Sequence, residues 1–284
     1  MLERRIIHVP LALALLVAGG TGCGSGGTAG DRDGGTNGMT EQLALDIAAV
    51  RRGRILFGHH SVGVNVLAGL ERLDAEAGGG RIRTVSLEQA ASIQGPLLAH
   101  GGVGRNGDPR SKVDDFAARI RSGPGVELAY MKFCYVDFEP SSDVEALLAH
   151  YQRTLHSLKG EHPQIRFAHV TVPLTTRPSD PKSWLRRLLG KEVWEDAANA
   201  KRSQFSRRLR EVFPSDPIFD LARVEALGPD GEARRPGHDR EGTPSMDPRY
   251  SDDGGHLNAQ GQRAAAAEMV RFLAQALRRP GGPG

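Results

Sequence analysis

Two spacings of apolar residues alternate along this chain. Between residues 39 and 52, Leu43, Leu45, Ile47, Ala48 and Val50 recur as on one side of a helix. Residues 54–57 follow as a short, wholly apolar run after Arg54, the mark of a buried strand, and residues 58–61 turn the chain. Helical spacing returns over 62–75, where Val62, Val66, Leu67, Leu70 and Leu73 share a face, and Gly78-Gly79-Gly80 stops it. The same alternation predicts strands over 82–87, 126–136, 165–174 and 217–221. It predicts helices over 112–121, 144–158, 197–212 and 259–277, with a glycine-rich loop over 101–109.

Strands that alternate with helices pair in parallel, because each crossover helix returns the chain to the same edge. The predicted fold is therefore a three-layer α/β/α sandwich around a mainly parallel sheet of about five strands. Sites in such sheets lie at the carboxyl ends of the strands. Ser61, Asp137 and Thr175-Thr176 all fall at such ends. Two stretches interrupt the pattern, 178–194 and 228–250, and both follow strands, so both should overhang that rim. They carry Trp184, Trp194 and Tyr250 in a chain whose aromatic content is 5%. A substrate-facing lid and a surface loop pinned by aromatics are both open readings.

The 284 residues are not all one domain. Residues 1–23 read as an export signal: Arg4 and Arg5 precede an apolar run over 9–18 that is too short to span a bilayer. Gly20-Thr21-Gly22-Cys23 is similar to a bacterial lipobox, with glycine where leucine is usual. Lipidation at Cys23 would anchor the chain to the cell envelope; simple cleavage would release it as a secreted or periplasmic protein. Residues 24–38, rich in Gly, Thr and Asp, read as a flexible tether. Residues 39–279 are enough for one α/β domain, and 280–284 read as a disordered tail. With two cysteines and Cys23 in the signal, Cys134 has no disulfide partner and reads as a packing residue. The net charge of +3 is spread in small arginine clusters, without the basic, aromatic-interleaved stripe of a nucleic-acid surface.

The chemistry concentrates at the two ends of this domain. Ile55-Leu56-Phe57-Gly58-His59-His60-Ser61-Val62-Gly63 places a serine between a strand and a helix. Asp253-Gly254-Gly255-His256-Leu257-Asn258 places an aspartate and a histidine on one loop before the last helix, with Asn258 as its cap. Serine is a poor nucleophile unless a base takes its proton and a third group holds the base in the right tautomer. Ser61, His256 and Asp253 suit those three roles. His59 and His60, with His100 or His238, do not match metal-ligand spacing, so no metal is expected. Lys132, inside an apolar strand, calls for an ionic partner such as Asp137 or Asp115. Asn199 and Arg202 open a helix near the rim, either toward substrate or into solvent.

With these motifs in hand, residues 54–277 resemble the SGNH (GDSL-type) hydrolases, a family of α/β/α esterases with a serine after strand one and D-x-x-H before the last helix. The usual Gly-Asp-Ser is here His59-His60-Ser61, which marks a divergent branch. The resemblance implies an oxyanion hole made of the serine N–H, a glycine and an asparagine. Valine stands at the usual asparagine position in Cys134-Tyr135-Val136-Asp137. The implied substitutes are Asn106, with Gly104 or Gly107 for the backbone donor, and Asn65 as a further donor candidate. His60, Asp137, Trp184 and Tyr250 are the candidate substrate contacts. The resemblance implies ester hydrolysis through an acyl-enzyme on an acyl or acetyl ester of a glycan or lipid, with no cofactor. A non-catalytic binding module and an acyltransferase on the same fold are the alternatives.

Overall fold

A computed structural model describes residues 34–231 and 242–278. The expected export signal with Cys23, most of the tether, His238 and the tail over 280–284 lie outside them. Among the described residues no helix is long and apolar enough to cross a membrane.

Six parallel strands form one sheet in the order β2-β3-β1-β4-β5-β6. They are β1 (Arg54–Gly58), β2 (Thr84–Ser86), β3 (Leu97–Gly101), β4 (Leu128–Met131), β5 (Arg166–Val170) and β6 (Ile218–Phe219). The helices are α1 (Gly34–Val50), α2 (Val62–Ala77), α3 (Pro109–Arg121), α4 (Val144–Glu161), α5 (Pro181–Leu188), α6 (Trp194–Val212), α7 (Leu221–Ala226) and α8 (Ala259–Leu277). The three-layer α/β/α architecture expected from the alternation is the one found.

The strands are apolar on both faces because both faces are covered. Ile55 and Phe57 of β1, Leu98 of β3, and Leu128 and Tyr130 of β4 point into the core under α1, α2 and α8. Their neighbours Leu56, Leu97, Ala99, Ala129 and Met131 point into the opposite core with residues of α3, α4 and α6. Alternation with period two thus divides each short run between two cores.

Four expectations need correction. The sheet has six strands rather than about five, because Leu97–Gly101 forms a strand beside β1, in register from Arg54↔Leu97 to Gly58↔Gly101. The glycine-rich loop therefore follows β3. The strand expected over 126–136 ends at Met131, where its partner β1 ends at Gly58, and a 3₁₀ turn at Tyr135–Asp137 follows. The stretch over 178–194 holds helix α5, and α1 begins at Gly34, inside the segment read as tether.

The helices α2 and α8 pack side by side at the edge of one core. Gly69 is where their backbones meet: a β-carbon there would stand 2.2 Å from the Gln262 carbonyl oxygen. Only hydrogen fits.

Glu225 on α7 is fully buried, and its Oε2 accepts a hydrogen bond from the Leu174 N–H. Burial pushes its carboxyl up to about 8 from an ordinary 4.5. Between those values the folded chain holds a proton that the unfolded chain has released. Stability is therefore full below the lower value and declines as pH rises through the upper one. Glu225→Gln should flatten that decline. The check is thermal unfolding of both proteins from about pH 5 to about pH 9; parallel curves would refute the assignment.

Candidate active site

Strand β1 lies in the middle of the sheet, where the connections switch from one side to the other, and ligands in open parallel sheets lie outside such switch points. The chain leaves β1 through Gly58-His59-His60 and enters α2 at Ser61. Ser61 has φ +49° and ψ −107°, and it is the only non-glycine residue with positive φ among those described. A side chain is rarely held in this region unless its surroundings demand it. The bend points the hydroxyl out of the helix start, where its Oγ makes no capping bond.

His59 fills the space under the bend. Its ring stacks on His100 and lies tilted against Phe57, and Nε2 is hydrogen-bonded to His100 Nδ1 at 3.2 Å. Any β-carbon at Gly63 would stand 2.5 Å from the His59 Cβ. Burial pushes the His59 imidazole down to about 3, so it stays neutral. Among the described residues no third ligand joins the two histidines in a metal-sized cluster. His60 Nε2 donates to the Val103 carbonyl at 2.9 Å, which lays its ring along Gly102.

The partner loop comes from the far end of the chain. Asp253 Oδ1 accepts from the backbone N–H groups of Gly255 at 2.9 Å and His256 at 2.7 Å, while its Oδ2 accepts from His256 Nδ1 at 2.6 Å. The backbone bonds, ahead of the histidine itself, hold this carboxyl far below its ordinary range. One oxygen thus shapes the loop and the other fixes the tautomer. Gly254 has φ +86°, and its carbonyl accepts from the Thr176 N–H at 2.9 Å. Gly255 lies against Tyr135, whose ring meets His256 edge-on at 5.7 Å.

These elements bring His256 Nε2 to 2.5 Å from Ser61 Oγ, across 195 residues of sequence. With Nδ1–H committed to Asp253, Nε2 is the acceptor and the serine hydroxyl the donor. Asn65, one turn into α2, accepts from the Leu257 N–H through Oδ1 at 3.3 Å and ties the two segments together. Its carbonyl end therefore serves the loop. The arrangement can remove a hydroxyl proton and hold the resulting imidazolium against a carboxylate. Both side chains of the pair stay open to solvent: His256 is 43% and Asp253 56% exposed.

Other expected site residues lie elsewhere. Asp137 is not on the surface of the site: it is buried in an ion pair with Lys112 at 2.6 Å and accepts from the N–H groups of Cys134 and Gly107. That also removes the Gly107 N–H as an oxyanion donor. The Gly104 N–H is equally committed, to Asp115 Oδ2 at 3.0 Å. Tyr250 packs in the core against α8. Trp184 lies on α5 with 62% of its surface exposed. Asn106 turns Oδ1 to Lys112 Nζ at 2.9 Å, which leaves its Nδ2 as the free end. Lys132 does not pair with Asp137 or Asp115; its Nζ donates to the Phe133 carbonyl and to Cys134 Sγ, and burial pushes it down. Asn199 and Arg202 are buried and bonded to Thr175 rather than turned to solvent.

Two residues with a place in the site had no sequence signal. Tyr135 supports His256, and Gly102 directly follows β3 beside His60. No hydrogen bond to the N–H of Gly102 or of Ser61 is found among the described residues.

No family model and no curated protein matches this sequence. Solved structures do. A lipase/acylhydrolase from Enterococcus faecalis is 11% identical with a TM-score of 0.47, over 78% of this chain and 95% of that one. A carbohydrate acetylesterase from Sinorhizobium meliloti is 13% identical with a TM-score of 0.40, over 78% and 98%. The acetyl xylan esterase AlAXEase is 18% identical with a TM-score of 0.42, over 76% and 96%.

Proposed function

We infer that this protein is a serine esterase that cleaves an acyl or acetyl ester through an acyl-enzyme. The observation that carries the reading is the unbroken chain from Ser61 Oγ to His256 Nε2 and from His256 Nδ1 to Asp253 Oδ2. Ser61 attacks the ester carbonyl as its proton passes to Nε2. Asp253 steadies the imidazolium, which then protonates the departing alcohol. Water, activated by the same nitrogen, releases the acyl group.

The developing oxyanion needs donors aimed at it. In this reading they are the N–H groups of Ser61 and Gly102, with Asn106 Nδ2 as the side-chain donor. Gly102 is favoured over Gly104 and Gly107 because its N–H meets no acceptor among the described residues and it borders the histidine that precedes Ser61. The export signal, if it operates, places the substrate in the cell envelope, as an acylated glycan or lipid, with Cys23 as the anchor.

A fluorophosphonate probe tests the reading. It should label the chain at Ser61, as read by peptide mass, and p-nitrophenyl acetate should be turned over. Failure to label a folded chain would turn the reading into that of a ligand-binding module. Transfer of the acyl group to an added sugar in excess of transfer to water would make the protein an acyltransferase.

A further inference from the structure

Arg202, on α6, is 1% exposed, yet no carboxylate forms an ion pair with it among the described residues. Glu225 and Glu195 attract it only from beyond ion-pair distance. A buried cation without a paired anion costs stability, so its place calls for a reason. Its hydrogen bonds supply one. Nε donates to the Tyr135 carbonyl at 3.0 Å, and Nη1 donates to Thr175 Oγ1 at 2.9 Å and to Asn199 Oδ1 at 2.7 Å. The guanidinium also lies over the Tyr135 ring, 5.8 Å from its centre.

These contacts fall on the two loops that leave the neighbouring strands β4 and β5 at the carboxyl rim, and both loops touch the segment that carries His256. Tyr135 is the only aromatic ring that meets His256 among the described residues. It also lies against Gly255, where a β-carbon would stand 2.8 Å from the tyrosine hydroxyl. On the other loop, Thr176 donates its N–H to the Gly254 carbonyl at 2.9 Å. Its neighbour Thr175 is held at both backbone ends by Asn199, whose Oδ1 accepts at 3.1 Å and whose Nδ2 donates at 2.9 Å. One buried guanidinium thus ties together both supports of the D-x-x-H loop. Its planar fork matters, because a lysine ammonium cannot lie flat on the tyrosine and keep the same bonds.

We propose that Arg202 is a positioning residue for His256: by fixing Tyr135 and Thr175 it sets the orientation of the imidazole that faces Ser61. The inference rests on the esterase reading. Arg202 bonds to neither Ser61 nor His256, so it should act on the rate of the chemical step and leave substrate binding alone. Displacing a reacting group by about 1 Å can cost about 10²-fold.

The test compares the full chain with Arg202→Lys, Tyr135→Leu, the double variant and Ser61→Ala, all well below their unfolding temperatures. Arg202→Lys keeps the charge and spares the fold. Its kcat for p-nitrophenyl acetate should fall by about 10–100-fold with KM within about twofold. The double variant should lose clearly less than the product of the two single losses, because arginine acts through the tyrosine. In carbon-13-labelled protein, NMR relaxation should show the His256 ring more mobile in Arg202→Lys than in the parent. A folded Arg202→Lys protein with kcat within about twofold of the parent would overturn the proposal. So would losses that multiply in full, or a His256 ring as rigid as in the parent. Equal hydrolysis by the parent and Ser61→Ala would instead sink the esterase reading, and the ring relaxation, which needs no turnover, would still decide whether Arg202 positions His256.

Discussion

Replacing Ser61 by alanine should lower kcat for p-nitrophenyl acetate by roughly 10⁴–10⁶-fold, and replacing His256 should cost about as much. The two losses should not add, because the hydroxyl and the imidazole act as one unit. The double variant should fall no further than either single one. Asp253→Asn separates the two duties of that side chain. Its Oδ1 can still accept from Gly255 and His256, so the loop should survive. The carboxylate that fixes the Nδ1–H tautomer is lost, and kcat should fall with the fold intact. Kinetics of the parent and the four variants at one pH, with circular dichroism to confirm folding, decide the matter. A Ser61→Ala variant within tenfold of the parent would remove Ser61 as the nucleophile.

Lys112→Met should destabilise the domain by about 3–5 kcal/mol, lowering Tm by about 6–20 °C. The pair it breaks has no exposed side-chain surface on either partner. Methionine fills the volume but leaves the Asp137 carboxylate buried with only the Cys134 and Gly107 N–H groups to hold it. Replacing Asp137 as well would not restore stability, because those two donors would then be orphaned. A change in Tm below about 2 °C would show that the pair is not the structural anchor its burial implies.

Much of the architecture was legible because it follows from periodicity. The helix spacing over 62–75 and 259–277 and the apolar runs of β1 and β4 each fix an element by themselves. The run Leu97-Leu98-Ala99 did not: with Pro96 before it and His100-Gly101-Gly102 after it, three residues are too few to show a period. The serine and the D-x-x-H loop were legible as motifs, and folding brings their Ser61 and His256 side chains within hydrogen-bond distance. The direction of Asp137 was not. Its place at a strand end suggested the rim, but a lysine on a different element draws it inward, and a pairing between two elements leaves no trace in local sequence. The oxyanion glycines failed for the same reason. Gly104 and Gly107 have the backbone freedom such a donor needs, but carboxylates brought by folding already occupy their N–H groups.

The close contact at Gly69 has a consequence for how this site assembles. Ser61 stands at the head of α2 and His256 just ahead of α8, so the gap between hydroxyl and imidazole is set by how tightly two helices lie together. No local stretch of chain contains both Ser61 and His256. Their contact comes into being only when the first and last thirds of the domain meet. Activity should then be a cooperative property: on heating, ester turnover and far-UV helicity should vanish along one curve, with no active intermediate between.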